Sequence, residues 1–66
     1  GNVYEIKVCG NKKFVKNLNH ALEQARRSVI QITDTPLTNA KYRLENVTKE
    51  YEEIIIIQPD GSIEHY

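Results

Sequence analysis

Four consecutive isoleucines, Ile54–Ile57, are the feature that most restricts how this chain can fold. Branched side chains of this kind favour strands, and successive strand residues point to opposite faces of a sheet. A strand of isoleucines therefore places large apolar groups on both faces, and both faces must be covered. We expect this strand to be central in a sheet or to lie at an interface between copies of the chain. The possible oligomer interface is assigned to Ile54, Ile56, Tyr51 and Tyr66.

The length of the chain also favours self-association. A domain of 66 residues buries only about 60% of the surface that its unfolded chain exposes. Residues 1–66 are interpreted as a single domain, with Gly1 as the remnant of a purification tag. Cys9 is the only cysteine, so no disulfide can form within the chain, and neither His20 nor His65 has the close spacing to it that a zinc site uses. With no disulfide, metal or cofactor predicted, a partner copy is the remaining source of stability.

The first half of the sequence predicts a hairpin followed by a helix. Residues 3–9 alternate with a period of two, Gly10-Asn11 is a plausible two-residue turn, and residues 12–16 are expected to form a second strand. Between Asn17 and Ile32, apolar residues recur along one helical stripe, which consists of Leu18, Ala21, Leu22, Ala25, Val29 and Ile32. We predict a helix over 17–32, with an end up to one turn earlier because residues 29–32 are rich in β-branched side chains.

Two structures compete for residues 37–51. Apolar residues at Leu37, Ala40, Leu44, Val47 and Tyr51 have helical spacing, whereas modest helix propensities leave a strand over Tyr42–Thr48 as the alternative. After the isoleucine strand, Pro59-Asp60-Gly61 predicts a tight turn into a final strand over 62–66. The predicted fold class is α+β: a small antiparallel or mixed sheet packed by one or two helices, in the order β-β-α-(α or β)-β-β.

Charge is divided unevenly along a chain whose net charge is zero. Residues 1–33 carry six cations and two carboxylates, a net of +4, whereas residues 34–66 carry three cations and seven carboxylates, a net of −4. Three interpretations are open: a solvated surface, association between the basic part of one copy and the acidic part of another, and an anion or nucleic-acid site. The residues of that site would be Lys12, Lys13, Lys16, Arg26 and Arg27. A chain with no net charge attracts DNA only weakly at long range, so nucleic-acid binding is a less favoured interpretation than self-association.

No motif in the sequence specifies a reaction. His20 has the chemistry of a general acid or base and Cys9 that of a nucleophile, but neither stands in a recognisable catalytic context. A polar helix residue and a small buried thiol are therefore their expected roles. The length and a strand–helix–strand–strand order resemble those of the dodecins, small flavin-binding oligomers. The tryptophan expected in the flavin site is absent, so no function is carried over.

These observations predict a non-catalytic, homo-oligomeric binding module of the type common among bacterial or phage accessory proteins. Its expected partners are copies of itself or another protein, and nucleic-acid binding through the basic half is the alternative. The longest apolar run has four residues, so no membrane association is expected. The lone cysteine indicates a reducing compartment, and we expect a cytoplasmic location.

Overall fold

The computed structural model of the protein describes residues 3–66, so Gly1 and its interpretation as a tag remnant lie outside the described residues. In chain order the main elements are β1 (Tyr4–Cys9), α1 (Phe14–Gln24), β2 (Arg27–Ile32), α2 (Ala40–Leu44), β3 (Glu53–Ile57) and β4 (Ile63–His65). A 3-10 turn at Asn11–Lys13 leads directly into α1. α1 buries four side chains at helical spacing and ends where Ala25 becomes extended, at φ −155°.

The four strands form one mixed sheet in the order β1-β2-β3-β4. β1 and β2 are parallel, as are β2 and β3, whereas β3 and β4 are antiparallel. Tyr4 pairs with Arg27, which in turn pairs with Glu53, and Cys9 pairs with Ile32. Parallel neighbours need a crossover connection, which α1 supplies between β1 and β2 and the segment containing α2 supplies between β2 and β3. The carboxyl ends of the three parallel strands therefore lie at the same end of the sheet.

The helices cover one face of this sheet, which we call the helix face. The buried core contains apolar residues of both helices, alternate residues of the strands and one residue of the segment between β2 and α2: Cys9, Phe14, Leu18, Ala21, Leu22, Ile30, Ile32, Leu37, Ala40, Leu44, Ile54 and Ile56. Ser28 is also buried on this face, and its hydroxyl donates to the Glu5 carbonyl oxygen at 3.0 Å. Burial of this kind is the main favourable term in folding a domain of this size.

The predicted α+β class is confirmed, but two elements of the predicted first half are wrong. Gly10-Asn11 does not close a hairpin, because Asp34 accepts a hydrogen bond from the Asn11 amide at 2.8 Å and the chain turns into a helix there. The predicted helix over 17–32 stops at Gln24, and its second half is β2. Pairing with a parallel strand on each side outweighs the weak local helix preference of residues 27–32.

The helix considered for residues 37–51 is present in part, and the alternative strand over Tyr42–Thr48 is absent. Only Ala40–Leu44 is helical, and Asn39, with φ at 54°, stands immediately before that short helix. The predicted strand at the isoleucine run is confirmed as β3, a central strand of the sheet. The C-terminal hairpin is confirmed as well: Gln58 N donates to Ser62 O at 2.8 Å, and Gly61 supplies the positive φ that the turn requires.

Candidate functional site

The face of the sheet opposite the helices is lined by aliphatic side chains, and we call it the open face. The pairing of the strands arranges these side chains in rows that run across the sheet. One row contains Ile6, Val29 and Ile55, and the next row contains Val8, Gln31, Ile57 and Ile63. Ile6, Val8 and Ile63 are 66%, 59% and 62% exposed, and Val29, Ile55 and Ile57 are half-buried. None of these side chains belongs to the buried core formed by residues 3–66. The open face is therefore a largely aliphatic surface to which all four strands contribute, with Gln31 and His65 as its polar members.

A polar row closes one end of the open face. Tyr4, Arg27 and Glu53 are register partners across β1, β2 and β3, and the Tyr4 hydroxyl donates to Glu53 Oε1. Arg27 Nη1 lies 2.7 Å from Glu52 Oε2, and His65 Nε2 lies 3.1 Å from Glu53 Oε2. The hydrogen bond to Glu53 raises the pKa of Tyr4 above its ordinary value, so the phenol remains a donor. Arg27 Nε also lies 4.0 Å from Glu53 Oε1, so the charges of this row have partners within the chain. The remaining rows are aliphatic apart from Gln31 and His65.

The residues assigned from sequence to an oligomer interface do not lie together. Ile54 and Ile56 are 0% exposed beneath the helices, so they are corrected to core residues, and their neighbours Ile55 and Ile57 take the open face. Tyr51 and Tyr66 both line a groove of about 430 Å³, which Leu44 also lines. Tyr66 donates to Glu64 Oε1 at 2.7 Å, and this bond raises the pKa of Tyr66.

The five basic residues of the predicted anion site are divided between the two ends of the sheet. Lys12 and Lys13 follow the carboxyl end of β1, and Lys16 lies in the first turns of α1. Arg26 and Arg27 lie at the amino end of β2, roughly 16 Å away along an 11-residue helix. Both arginines contact carboxylates of the second half of the chain: Arg26 lies 3.8 Å from Glu50 and Arg27 2.7 Å from Glu52. The structure therefore does not bring the five cations into one patch.

An open cleft of about 650 Å³ lies at the carboxyl ends of β1 and β2, lined in part by Gly10, Asn11 and Asp34. Asp34 Oδ1 accepts from the amides of Asn11 at 2.8 Å and Thr35 at 2.6 Å, and the Asn11 bond is the main reason why the pKa of Asp34 is lowered. A methyl group at Gly10 would come within 2.5 Å of Asp34 Oδ2. The carboxylate thus occupies the backbone donors that an external anion would need.

Asn11 joins three segments beside this cleft. Its side-chain amide donates to the carbonyl oxygens of Thr35 at 3.1 Å and Pro36 at 2.9 Å. Its side-chain oxygen accepts from Arg43 Nη1 at 2.6 Å, and its backbone oxygen accepts from Arg43 Nη2 at 2.7 Å. The local sequence indicates only a turn at Asn11, because the partners of Asn11 lie 23 to 32 residues away and no local pattern indicates them.

Asn11→Ala is expected to destabilise the domain by about 2–3 kcal/mol, because it removes three side-chain hydrogen bonds, one of them to a charged group. Urea denaturation followed by circular dichroism measures the change. The control is Asn17→Ala, which removes a single hydrogen bond to the Lys13 carbonyl oxygen within the helix and should cost about 1 kcal/mol or less. Equal losses for the two variants would contradict the central role of Asn11.

The two residues considered for catalysis lie apart from these contacts. Cys9 is buried at the end of β1, and burial raises the pKa of its thiol, with the Asp34 carboxylate adding to the effect. The thiol is thus held in its protonated, weakly nucleophilic form. His20 is exposed on α1. Within residues 3–66, no three His, Cys, Asp or Glu side chains are grouped so that they could hold a metal ion.

Comparisons with known proteins give no indication of a function. No protein-family model matches the chain, no curated protein is significantly similar to it, and no solved structure matches its fold significantly. Among the described residues, no helix has both the length and the apolar character needed to cross a bilayer.

Proposed function

We propose that this protein is a non-catalytic interaction module that binds a second copy of itself through the open face. The observation that carries the proposal is the row of aliphatic side chains at positions where a solvated sheet face would carry polar ones. Three of the four strands are parallel neighbours, and parallel sheets normally have both faces covered. The helices cover one face only, so residues 3–66 supply no second layer over the other face, and a partner would supply it.

The charges of a second copy do not oppose its binding to this surface. The chain has no net charge, so two copies approach without overall repulsion. Between the polar row and the opposite end, His65, which lies beside Ile55, is the only ionisable side chain that the described residues place on the open face. Arg27 lies 2.7 Å from Glu52 and 4.0 Å from Glu53, so the charges of Arg27 and Glu53 require no counter-charge from the partner. Two such faces would pack about 10 Å apart, as the sheets of a sandwich do.

The size of the open face indicates that contact through it alone is weak. Four strands about 4.8 Å apart, with the five-residue β3 setting the length, span at most roughly 14 by 17 Å, or about 300 Å² with the width of the outer strands included. Two faces then bury well under the ~1,200 Å² typical of the smaller stable interfaces. We therefore propose a concentration-dependent contact rather than an obligate dimer. The same proposal gives the module a reducing, cytoplasmic setting, which the single cysteine favours, and places it in a bacterium or phage host.

The test combines solution mass with the site of contact. Sedimentation equilibrium up to about 500 µM is expected to give a mass above that of one chain, and dilution is expected to shift the methyl NMR signals of Ile57 and Ile63. Ile63→Lys should weaken this contact roughly a hundredfold, because it forces a charge into an apolar interface twice. Tyr42→Lys is the matched control, since Tyr42 is 69% exposed but lies on α2 and not on the open face.

Two results would overturn the proposal. One is a monomer mass at every concentration, with methyl signals that do not depend on dilution. The other is association that persists unchanged in Ile63→Lys while Tyr42→Lys weakens it, which would move the contact to the helical side of the molecule.

A further inference from the structure

The outer edge of β1 is a second candidate contact surface, because the backbone groups on that edge have no partner within residues 3–66. β1 is the first strand of the sheet and pairs only with β2. In a strand, the amide and carbonyl of one residue point to one side and those of the next residue to the other. The other outer strand, β4, has only three residues, whereas β1 has six. β1 can therefore form more backbone hydrogen bonds with a partner strand than β4 can.

The hydrogen bonds of β1 identify which of its residues face outward. Cys9 O accepts from Thr33 N at 3.0 Å, and Glu5 O accepts from the Ser28 hydroxyl, so the odd-numbered residues face β2. The even-numbered residues Tyr4, Ile6 and Val8 consequently direct their amide and carbonyl groups toward the free edge. Their side chains lie on the open face, and those of Glu5 and Lys7 lie on the helix face.

From this geometry we infer that β1 pairs antiparallel with β1 of a second copy, about a two-fold axis at Ile6. This register places Ile6 opposite Ile6 and Tyr4 opposite Val8, and all three outward residues of each copy then form hydrogen-bonded pairs. It also places Glu5 of each copy opposite Lys7 of the other, in the closely spaced non-hydrogen-bonded positions where side chains meet. Opposite charges in cross-strand pairs stabilise an antiparallel ladder.

Charge also excludes the neighbouring registers. A shift of the two-fold axis to Glu5 would set Glu5 against Glu5, and a shift to Lys7 would set Lys7 against Lys7. Like charges directly opposite each other destabilise a sheet. Two-fold axes at Tyr4 or Val8 leave much of β1 unpaired, because the strand ends close to those residues. Pairing about Ile6 is therefore the register in which all of residues 4–8 are paired and in which Glu5 of each copy lies opposite Lys7 of the other.

The inference is independent of the open-face contact, and it adds to that contact. The two-fold axis at Ile6 is perpendicular to the sheet, so two copies form one eight-stranded sheet with both open faces on the same side. The apolar surface available to a further pair is then about twice that of a single copy. When both contacts form and their axes meet at right angles, the assembly closes as a tetramer of two stacked sheets.

The test uses charge reversal at positions that lie away from the open face. Glu5→Lys and Lys7→Glu each set like charges opposite one another twice per dimer, and each is expected to weaken edge pairing about tenfold or more in sedimentation equilibrium. The double variant Glu5→Lys/Lys7→Glu restores opposite pairs and should associate like the original protein. An equimolar mixture of the two single variants should associate as well, because the two cations of one chain then lie opposite the two carboxylates of the other.

Two controls separate this inference from general attraction and from the open face. Lys16→Glu mixed with Glu23→Lys carries the same net charges on α1 and should behave like the unmodified protein. In an Ile63→Lys background, which removes the open-face contact, edge pairing alone should give a dimer that Glu5→Lys converts to a monomer. A monomeric Ile63→Lys protein, or single charge reversals that associate normally, would overturn edge pairing while leaving the open-face proposal intact.

Discussion

Ile56→Ala is expected to remove most of the stability of this domain, whereas Ile57→Ala is expected to leave it nearly unchanged. The two residues are adjacent and chemically identical, but Ile56 is 0% exposed in the core and Ile57 is half-buried on the open face. Replacing a fully buried isoleucine by alanine costs about 2–5 kcal/mol, because apolar burial is lost and a cavity remains. A partly exposed site without a partner should cost less than about 1 kcal/mol.

Urea denaturation of both variants at about 1 µM measures these losses, since dilution to that concentration removes any contribution from weak association. Because a domain of this size has a total stability of about 3–5 kcal/mol, the Ile56 variant should be largely unfolded in water at 25 °C. If Ile57→Ala proved to be the more damaging change, the assignment of the two faces of β3 would be reversed. The open face could then no longer serve as a binding surface.

Phe14→Ala is expected to cost about 3–5 kcal/mol, the range found for large aromatic residues in cores. Phe14 is 0% exposed at the first position of α1, and the Arg43 guanidinium carbon lies 5.4 Å from the centre of its ring. The ring therefore links α1 to α2 as well as filling the core. Removing it opens the core at the point where the Asn11 contacts also hold the two helices together.

Phe14→Leu is the control for this second experiment. Leucine retains most of the apolar volume but lacks the ring on which Arg43 lies, so the expected loss is about 1–2 kcal/mol. Circular dichroism during urea or thermal unfolding distinguishes the two variants, because only Phe14→Ala should lack a folded baseline at 25 °C. Equal and small losses for both would show that the position tolerates a cavity and that α1 is held by other contacts.

Sequence patterns predicted the elements whose signals are local. The β1 alternation, the start of the helical stripe at Leu18, Ala21 and Leu22, and the Pro59-Asp60-Gly61 turn are all present in the structure. Each depends on residues within one or two turns of one another, so a short window of sequence contains the cause. The α+β class followed from these elements even though the positions of some others were wrong.

The errors lie where distant contacts decide the structure. Val29 and Ile32 continued a helical spacing by coincidence, and the same segment is held as a strand once β1 and β3 flank it. Gly10-Asn11 has a valid turn sequence, but the Asp34 carboxylate, 23 residues further along the chain from Asn11, starts a helix there. Neither partner is visible in the local sequence, because parallel pairing and helix capping from another loop have no fixed sequence separation.

The sequence predicted an apolar surface on the isoleucine strand, but Ile54 and Ile56, which were assigned to it, lie on the opposite face. Four identical side chains in Ile54–Ile57 correctly indicate two apolar faces of a strand, but alternation cannot tell which face the helices will cover. Only the register with β2 and the positions of α1 and α2 decide that Ile54 and Ile56 point into the core. The basic cluster was divided for a related reason, since α1 separates its two halves by its own length.

The position of β2 in the sheet has a consequence for how quickly the chain can fold. Arg27 pairs with Tyr4 on one side and with Glu53 on the other, across separations of twenty-three and twenty-six residues. Neither ladder can form until a long loop has closed, and the entropy of closure must be lost before the contacts that compensate for it appear. The helix α1 and the hairpin of β3 and β4 join near neighbours and can form earlier. We therefore expect β2 to be the last strand to join the sheet, and the isoleucine side chains of β3 to remain in contact with water until it does.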